Sequence, residues 1–152
     1  MNVYETHPGT ILGCQHVERE AVSKYGVVDG EAQGERLARV HGLVEKPPMD
    51  QAPSTLAILG RYIITPGIFD VLEHTEPGAG GEIQLTDALK ELAQTEPMYA
   101  YEFEGIRYDV GNKLGYLQAT VEYALRDAEL NGPFAKYLGD TVCGMQAVKE
   151  EK

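Results

Sequence analysis

One stretch of sequence, residues 54–64, limits the folds open to this chain more than any other. It contains the longest apolar run, 56–64, which only Arg61 interrupts. A helix that crosses a membrane needs about 20 apolar residues, so this run is too short to span a bilayer. It is the strongest candidate for a buried central strand. Thr65 and Pro66 follow it directly and mark the start of a helix that ends near residue 75.

Strand and helix signals alternate along the rest of the chain. Strands are predicted at 10–17, 25–30, 36–44 and 98–104, and helices at 83–94 and 113–129. The first strand is mostly apolar, as are strands covered on both faces of a parallel sheet, and the next two form a hairpin. Asn131, Gly132 and Pro133 are expected to stop the last helix. We therefore predict an α/β architecture around a mixed sheet in residues 1–140, with a polar, disordered tail over 141–152.

The charge of the chain argues against one class of function. The 152 residues include 13 Lys plus Arg against 24 Asp plus Glu, which gives a net charge of −11. Sequence-independent nucleic-acid binding needs clustered cations, so no general DNA or RNA binder is expected. The first residues lack a secretory signal, so the expected location is the cytoplasm. Cys14 and Cys143 have no metal-ligand spacing and are expected to be reduced structural thiols.

Charged residues occur with glycine or proline in three stretches, 43–48, 78–87 and 108–115. Each stretch lies at the boundary of a predicted element, where the loops of α/β sheets form ligand sites. In the first stretch, Glu45 and Lys46 can share one ligand only if their strand ends and bends there, which the following proline favours. A sugar phosphate suits this pair, because a carboxylate accepts from hydroxyls and an ammonium attracts phosphate. The alternative is a solvated ion pair.

Aspartates mark the other two stretches. Asp87 lies in the first turn of a predicted helix, where a carboxylate caps the helix; the alternative is a ligand for Mg²⁺. The glycines before it do not form a P-loop pattern. Asp109 and Gly111 are predicted to form a turn and a helix cap; the alternative is a direct role in the site. The four histidines show no ligand or triad spacing, so no chemistry is assigned to them.

Five motifs follow one another at 23–28 (SKYGVV), 44–47 (VEKP), 52–62 (APSTLAILGRY), 77–87 (PGAGGEIQLTD) and 109–116 (DVGNKLGY). Together they resemble the bacterial UTP:glucose-1-phosphate uridylyltransferases, also called UDP-glucose pyrophosphorylases. The resemblance extends over residues 1–139 and covers only the carboxyl-side half of the family's domain. It implies a Rossmann-like nucleotide-diphospho-sugar transferase fold with a mixed sheet, without the N-terminal nucleotide-binding strands.

The resemblance also implies a reaction and a set of site residues. The reaction converts UTP and glucose 1-phosphate into UDP-glucose and pyrophosphate with the assistance of Mg²⁺. Lys46 would be the catalytic residue in contact with the phosphates, Glu45 would hold glucose hydroxyls, and Asp87 would help to bind the metal. The other predicted substrate-binding residues, at the sugar pocket or its rim, are Gly26, Gly60, Arg61 and Thr86.

The chain departs from the family pattern in two ways. It has neither the glycine-rich nucleotide loop, GxGTRxxPxTK, nor the further Mg²⁺-binding aspartate. We therefore expect poor UTP binding, weak or no activity, and an uncovered strand at 10–17 that favours self-association. Two alternatives stay open: a non-catalytic sugar-nucleotide-binding or assembly fragment, and a related thymidylyltransferase, against which the GEIQLTD and DVGNK motifs argue. The family commonly forms homo-oligomers, so we expect the same association in the full-length protein.

Overall fold

The computed structural model describes residues 2–78 and 81–150, and the chain divides into two compact units, 1–104 and 105–152. The first unit contains α1 (Asn2–Thr6), β1 (Thr10–His16), a 3₁₀ helix (Arg19–Lys24), β2 (Gly26–Gly34), β3 (Leu37–Glu45), β4 (Leu56–Ile63), α2 (Ile68–Leu72), α3 (Leu85–Thr95) and β5 (Met98–Glu102). The second unit contains α4 (Lys113–Arg126) and α5 (Asn131–Glu150). The predicted α/β class is confirmed.

The strands form a closed barrel in the order β1-β4-β2-β3-β5. Strand β1 is antiparallel to β4 and parallel to β5, so the sheet is mixed, as predicted. Strands β2 and β3 form the predicted hairpin. Only a few residue pairs join the hairpin to the other strands. Strand β2 meets β4 at the pair Val27–Ala57, and β3 meets β5 over residues 37–39.

Strand β1 has different neighbours from those that the sequence predicted. We expected a strand of a parallel sheet with one uncovered edge. In the structure both edges are paired, because Leu12 lies opposite Tyr62 of β4 and also opposite Ala100 of β5. The prediction of an uncovered strand is therefore wrong for this structure. An apolar pattern indicates that a strand is buried, but it does not identify the strands that cover it.

Helix α3 closes the core of the first unit. The buried residues of this core are Leu12, Cys14, Val28, Val40, Leu43, Ile58, Met98 and Ala100 from the strands, Ile68 from α2, and Ala88, Leu89 and Leu92 from α3. The three α3 residues lie on one face of the helix, as its apolar spacing predicts. Ile83 and Leu85 were also expected to face the core, but they are 56% and 36% exposed because the helix begins only at Leu85.

The helix after β4 is shorter than predicted and begins differently. We expected Thr65 to cap it, but α2 begins at Ile68 with Gly67 at the N-cap position. The Thr65 hydroxyl donates instead to the carboxylate of Glu96, at the end of α3. Phe69 was expected on the apolar face and is 68% exposed, whereas Ile68 is buried.

Strand β5 shows the predicted alternation of side chains. Met98 and Ala100 face the core, and the aromatic residues face the other way. Each of these rings has a guanidinium group over it at 5.1–5.3 Å from the ring centre. The pairs are Arg39 with Tyr99, Arg36 with Tyr101, and Arg61 with Phe103. Cation–π contacts therefore cover the aromatic face of this strand.

The second unit consists of two helices whose boundaries differ from the prediction. Asn131, Gly132 and Pro133 begin α5 rather than stop α4, which already ends at Arg126. Proline is tolerated in a first turn because its missing N–H would have no helical partner there. Residues 141–150, predicted as a disordered tail, belong to α5, and 151–152 lie outside the described residues. Among the residues that are described, no helix has the length and apolar character to cross a bilayer.

Candidate functional site

Strand β3 ends at an adjacent carboxylate and ammonium that lie close together. Lys46 has a backbone φ of 44°. Among the described residues, every other positive φ belongs to a glycine. This left-handed conformation ends the alternation of the strand, and Pro47, which follows, is fully buried. As a result Lys46 Nζ lies 3.6 Å from Glu45 Oε1. The predicted bend at the end of the strand is present.

A hydrogen bond from helix α3 holds the other oxygen of the same carboxylate. Thr86 Oγ1 donates to Glu45 Oε2 at 2.6 Å. Gly26 lies opposite Glu45 in the β2–β3 hairpin, and a Cβ atom on Gly26 would lie 3.1 Å from Glu45 Oε2 and 3.2 Å from Thr86 Oγ1. The structure thus brings together four predicted site residues, Gly26, Glu45, Lys46 and Thr86.

The two charged side chains of this group differ in exposure. The Glu45 side chain is 16% exposed and that of Lys46 is 59% exposed. A carboxylate largely removed from water needs hydrogen bonds from protein or ligand, and Thr86 supplies one of them. The ammonium of Lys46 remains on a flexible, largely solvated side chain, so it can move towards a ligand. Glu45 is therefore not the solvated surface group of the alternative interpretation.

Tyr62 is a neighbour of this group that sequence analysis missed. It lies on β4 and is partly exposed. Burial raises the pKa of its phenol above the ordinary value of 10.0, and the charges of Glu45 and then of Cys14 raise it further. A neutral phenol near Glu45 can both donate to a ligand and accept from it. The available signal was a hydroxyl-bearing aromatic residue near the end of a mostly apolar strand.

The two cysteines are free, as predicted. Cys14 is buried in the core, and burial, followed by the charge of Glu102, raises the pKa of its thiol from 9.0 to about 12. The thiolate is the reactive form of cysteine, so Cys14 is an inert thiol near neutral pH. Cys143 is exposed on α5.

Gly60 and Arg61 lie elsewhere on β4. The register between β1 and β4 is irregular next to this point, and Gly60 has a φ of 69°. The Arg61 side chain extends over Phe103 and lines a hollow of about 370 Å³ that also includes Tyr101. No hydrogen bond or ion pair within the described part of the chain joins Arg61 to Glu45. The assignment of Gly60 and Arg61 to the sugar pocket stays a prediction.

The predicted metal ligand, Asp87, lies in the first turn of α3. A Cβ atom on Gly78 would lie 2.5 Å from Asp87 Oδ2, so the carboxylate occupies space that this glycine leaves. Among residues 2–78 and 81–150, no three acidic, histidine or cysteine side chains cluster as they would around a metal ion. Asp87 is thus a single carboxylate at a helix N-terminus, and its role as a metal ligand stays a prediction.

The third stretch, 108–115, forms the start of α4. Asp109 Oδ1 accepts from the Gly111 N–H at 3.1 Å, and Asn112 Oδ1 accepts from the Gly115 N–H at 2.8 Å. A Cβ atom on Gly115 would lie 2.1 Å from the carbonyl oxygen of Asp109, so the turn requires glycine there. This stretch has the predicted structure of a turn and a helix cap.

Comparison with known proteins identifies relatives over most of the chain. Residues 4–126 match the family described as nucleotidyl transferase. The UTP--glucose-1-phosphate uridylyltransferase of Staphylococcus haemolyticus is 47% identical over 138 residues, which cover 91% of this chain and 48% of that protein. The chain therefore spans about half the length of the curated relatives that it matches.

Solved structures agree with this comparison. A UDP-glucose pyrophosphorylase complexed with UDP-glucose has a TM-score of 0.79 and 43% identity, and the match covers 83% of this chain and 48% of that one. A UTP-bound UGPase from Acinetobacter baumannii also has a TM-score of 0.79, with 34% identity over 90% of this chain and 47% of its own. The resemblance indicated by the five sequence motifs is confirmed.

Proposed function

The chain belongs to the nucleotidyl transferase family, and from this premise we propose that it carries the glucose 1-phosphate side of a uridylyltransferase site. The full reaction would be UTP plus glucose 1-phosphate to UDP-glucose plus pyrophosphate. The proposal includes a cytoplasmic location and a homo-oligomeric full-length protein. The names and ligands of the relatives, which are uridylyltransferases and complexes with UDP-glucose or UTP, support the proposed reaction.

The arrangement around Glu45 carries the proposal. A sugar 1-phosphate combines hydroxyl donors with an anionic group a few bonds away. Glu45 supplies a partly buried acceptor, and Lys46 supplies a mobile cation 3.6 Å from it. A carboxylate accepts hydrogen bonds from sugar hydroxyls, and an ammonium attracts phosphate as a point charge. One short segment can therefore bind both ends of such a ligand.

In the proposed reaction, an oxygen of the glucose 1-phosphate phosphate attacks the α-phosphorus of UTP. A new P–O bond forms while the bond from the α-phosphorus to the bridging oxygen breaks, and pyrophosphate leaves with that electron pair. Holding the sugar phosphate in line for attack lowers the entropic part of the barrier. The ammonium of Lys46 would offset the negative charge that surrounds the attacking phosphate. No protein nucleophile is required, which agrees with the inert thiol of Cys14.

Mg²⁺ is part of the proposal for Asp87 alone. Its carboxylate is the oxygen ligand that Mg²⁺ prefers, and Mg²⁺ often takes its other ligands from substrate phosphates and water. Asp87 alone does not make a complete metal site, because no group of three potential ligand side chains is found among the described residues.

The first test is titration of UDP-glucose into the chain and into two variants. Glu45→Ala should weaken binding about tenfold or more, because it removes a charged acceptor of ligand hydrogen bonds. Glu31→Ala is the matched control, since Glu31 is a carboxylate on the same hairpin and is 82% exposed. Glu31→Ala should bind UDP-glucose like the parent chain. Equal affinities for Glu45→Ala and the parent would contradict the proposed sugar-binding role.

The second test measures the release of pyrophosphate from UTP and glucose 1-phosphate with Mg²⁺. It compares the chain with the same chain extended on its amino side by the matching half of a relative. We expect release by the extended form. UDP-glucose binding without pyrophosphate release by either form would favour a non-catalytic binding fragment, and a preference for TTP over UTP would favour a thymidylyltransferase.

A further inference from the structure

The contact between Thr86 and Glu45 joins two elements that are far apart in the sequence. Glu45 is the last residue of β3, and Thr86 is in the first turn of α3. The distance of 2.6 Å between Thr86 Oγ1 and Glu45 Oε2 is that of a charge-assisted hydrogen bond. Because α3 packs on the core through its buried face, its first turn presents this hydroxyl from a fixed position.

Gly26 lies opposite Glu45 in the hairpin, and its lack of a side chain leaves space beside the same carboxylate. A Cβ atom there would lie 3.1–3.3 Å from Glu45 Oε2, Thr86 Oγ1 and Ile58 Cδ1. A side chain at position 26 would therefore press on both partners of the hydrogen bond between Thr86 and Glu45. The Glu45 side chain is held by the hydrogen bond at Oε2, and glycine at position 26 leaves room for that bond.

The two oxygens of Glu45 consequently have different surroundings. Oε2 accepts from Thr86, whereas Oε1 lies 3.6 Å from Lys46 Nζ. We infer that Thr86 is a positioning residue. Its hydroxyl donates to Oε2 and so orients the carboxylate with Oε1 towards the sugar hydroxyls of the ligand, beside Lys46. This inference rests on the proposed function and assigns Thr86 a role different from the direct contact with the sugar that the family resemblance implies.

The chemistry of the hydroxyl group supports an indirect role. A threonine hydroxyl has one proton, and in Thr86 that proton is directed to Glu45. Thr86 could then only accept from a ligand, while Glu45 accepts more strongly because it is charged. Removal of the hydroxyl should therefore affect the ligand chiefly through the orientation of Glu45.

The test uses two substitutions of Thr86 in the 152-residue chain, with UDP-glucose as the probe. Thr86→Val keeps the shape and removes the donor, and it should weaken binding about tenfold. Thr86→Ser keeps the hydroxyl and should bind within about twofold of the parent. Equal binding by Thr86→Val and the parent would overturn the inference, and so would an equal loss in both variants.

A double variant separates positioning from direct contact. If Thr86 acts through Glu45, adding Thr86→Val to Glu45→Ala should weaken binding no further. A further loss of about tenfold in that background would show direct contact with the ligand and overturn the inference.

A measurement without ligand keeps the inference distinct from the proposed function. Thr86→Val should lower the urea midpoint of the parent chain and leave the midpoint of Glu45→Ala unchanged, because the hydrogen bond is already lost there. If the parent chain does not bind UDP-glucose, the proposed function fails in this chain, and the urea midpoints alone decide whether Thr86 holds Glu45. Equal shifts in the two backgrounds would overturn the inference.

Discussion

The backbone N–H of Lys46 donates to the carbonyl oxygen of Tyr25 at 3.0 Å while Lys46 itself has a φ of 44°. The hydrogen bond continues the pairing of β2 with β3 for one residue past the end of β3. The left-handed conformation of Lys46 is unfavourable for a residue with a side chain. The site therefore combines a regular backbone hydrogen bond with local strain at the residue that carries its mobile charge.

Replacing Lys46 with glycine should make the fold more stable and ligand binding weaker. A left-handed residue other than glycine costs on the order of 1–3 kcal/mol, and the greater freedom of glycine in the unfolded chain offsets part of that gain. We expect Lys46→Gly to raise the free energy of unfolding by about 1 kcal/mol. Chemical denaturation measures the stability. Titration with UDP-glucose measures how far the loss of the ammonium weakens binding.

Lys46→Ala is the control for this prediction. It removes the same charge and retains the strain, so binding should weaken as in Lys46→Gly without the gain in stability. A Lys46→Gly chain that is less stable than Lys46→Ala would contradict the assignment of strain to this residue.

Replacing Gly26 with alanine should disturb the site more than the rest of the fold. The new Cβ atom would press on Glu45 Oε2 and Thr86 Oγ1, both at 3.1–3.2 Å. We expect a loss of stability of about 1 kcal/mol, as in other overpacked positions, together with weaker binding of UDP-glucose. Gly34→Ala is the control, because Gly34 lies on the same strand with open space around it. Similar binding by Gly26→Ala and Gly34→Ala would argue against close packing at the carboxylate.

Stability should fall as the pH rises above 9, because the thiol of Cys14 has a higher pKa in the folded chain. Burial moves this pKa from 9.0 to about 12, so the folded state retains a proton that the unfolded state loses in this range. The contribution is complete below pH 9 and decreases towards pH 12. Between pH 8 and pH 10 we expect a loss on the order of 1 kcal/mol in the free energy of unfolding.

Urea denaturation at pH 8, 9 and 10 tests this prediction. Cys14→Ala should reduce the pH dependence, whereas Cys143→Ala should leave it unchanged because that thiol is exposed. A thiol reagent should label Cys143 quickly in the folded chain and Cys14 only after unfolding. Rapid labelling of both thiols would contradict the burial of Cys14.

Loss of the cap of α4 should destabilise the second unit. Asn112 Oδ1 accepts from the Gly115 N–H at 2.8 Å, and removal of such a cap costs about 1 kcal/mol. In Asn112→Ala we expect faster hydrogen exchange of the α4 amides. Unchanged exchange in Asn112→Ala would mean that the cap contributes little.

Replacing Gly139 with alanine should have the opposite effect on the other helix of this unit. Gly139→Ala, in open space on α5, should stabilise that helix by up to about 1 kcal/mol.

The sequence predicts the part of the site that is built by neighbouring residues. Glu45, Lys46 and the following proline are adjacent, so the end of the strand could be inferred from the restriction that proline imposes. The hydrogen bond from Thr86 could not be inferred from spacing, because it depends on how α3 packs against β3. The resemblance to a family named Thr86 as a site residue without indicating this contact.

The fold shows the same division between local and distant contacts. The β2–β3 hairpin was predictable, since its strands are neighbours in the sequence. The two partners of β1 were not, because burial alone does not select a strand. The cluster at residues 131–133 was misinterpreted because glycine and proline occur both after a helix and in a first turn.

The β2–β3 hairpin is joined to its neighbours by few paired residues on either side, and this affects local unfolding. Strand β2 joins β4 at Val27–Ala57, and β3 joins β5 over residues 37–39, whereas β1 is paired along most of its length on both sides. Proteins open first where few contacts hold neighbouring elements together. The barrel should therefore separate into the hairpin and the sheet β4-β1-β5, with amides at both junctions exchanging before those of β1. Gly26 and Glu45 face each other within the hairpin, so they would remain paired during this opening.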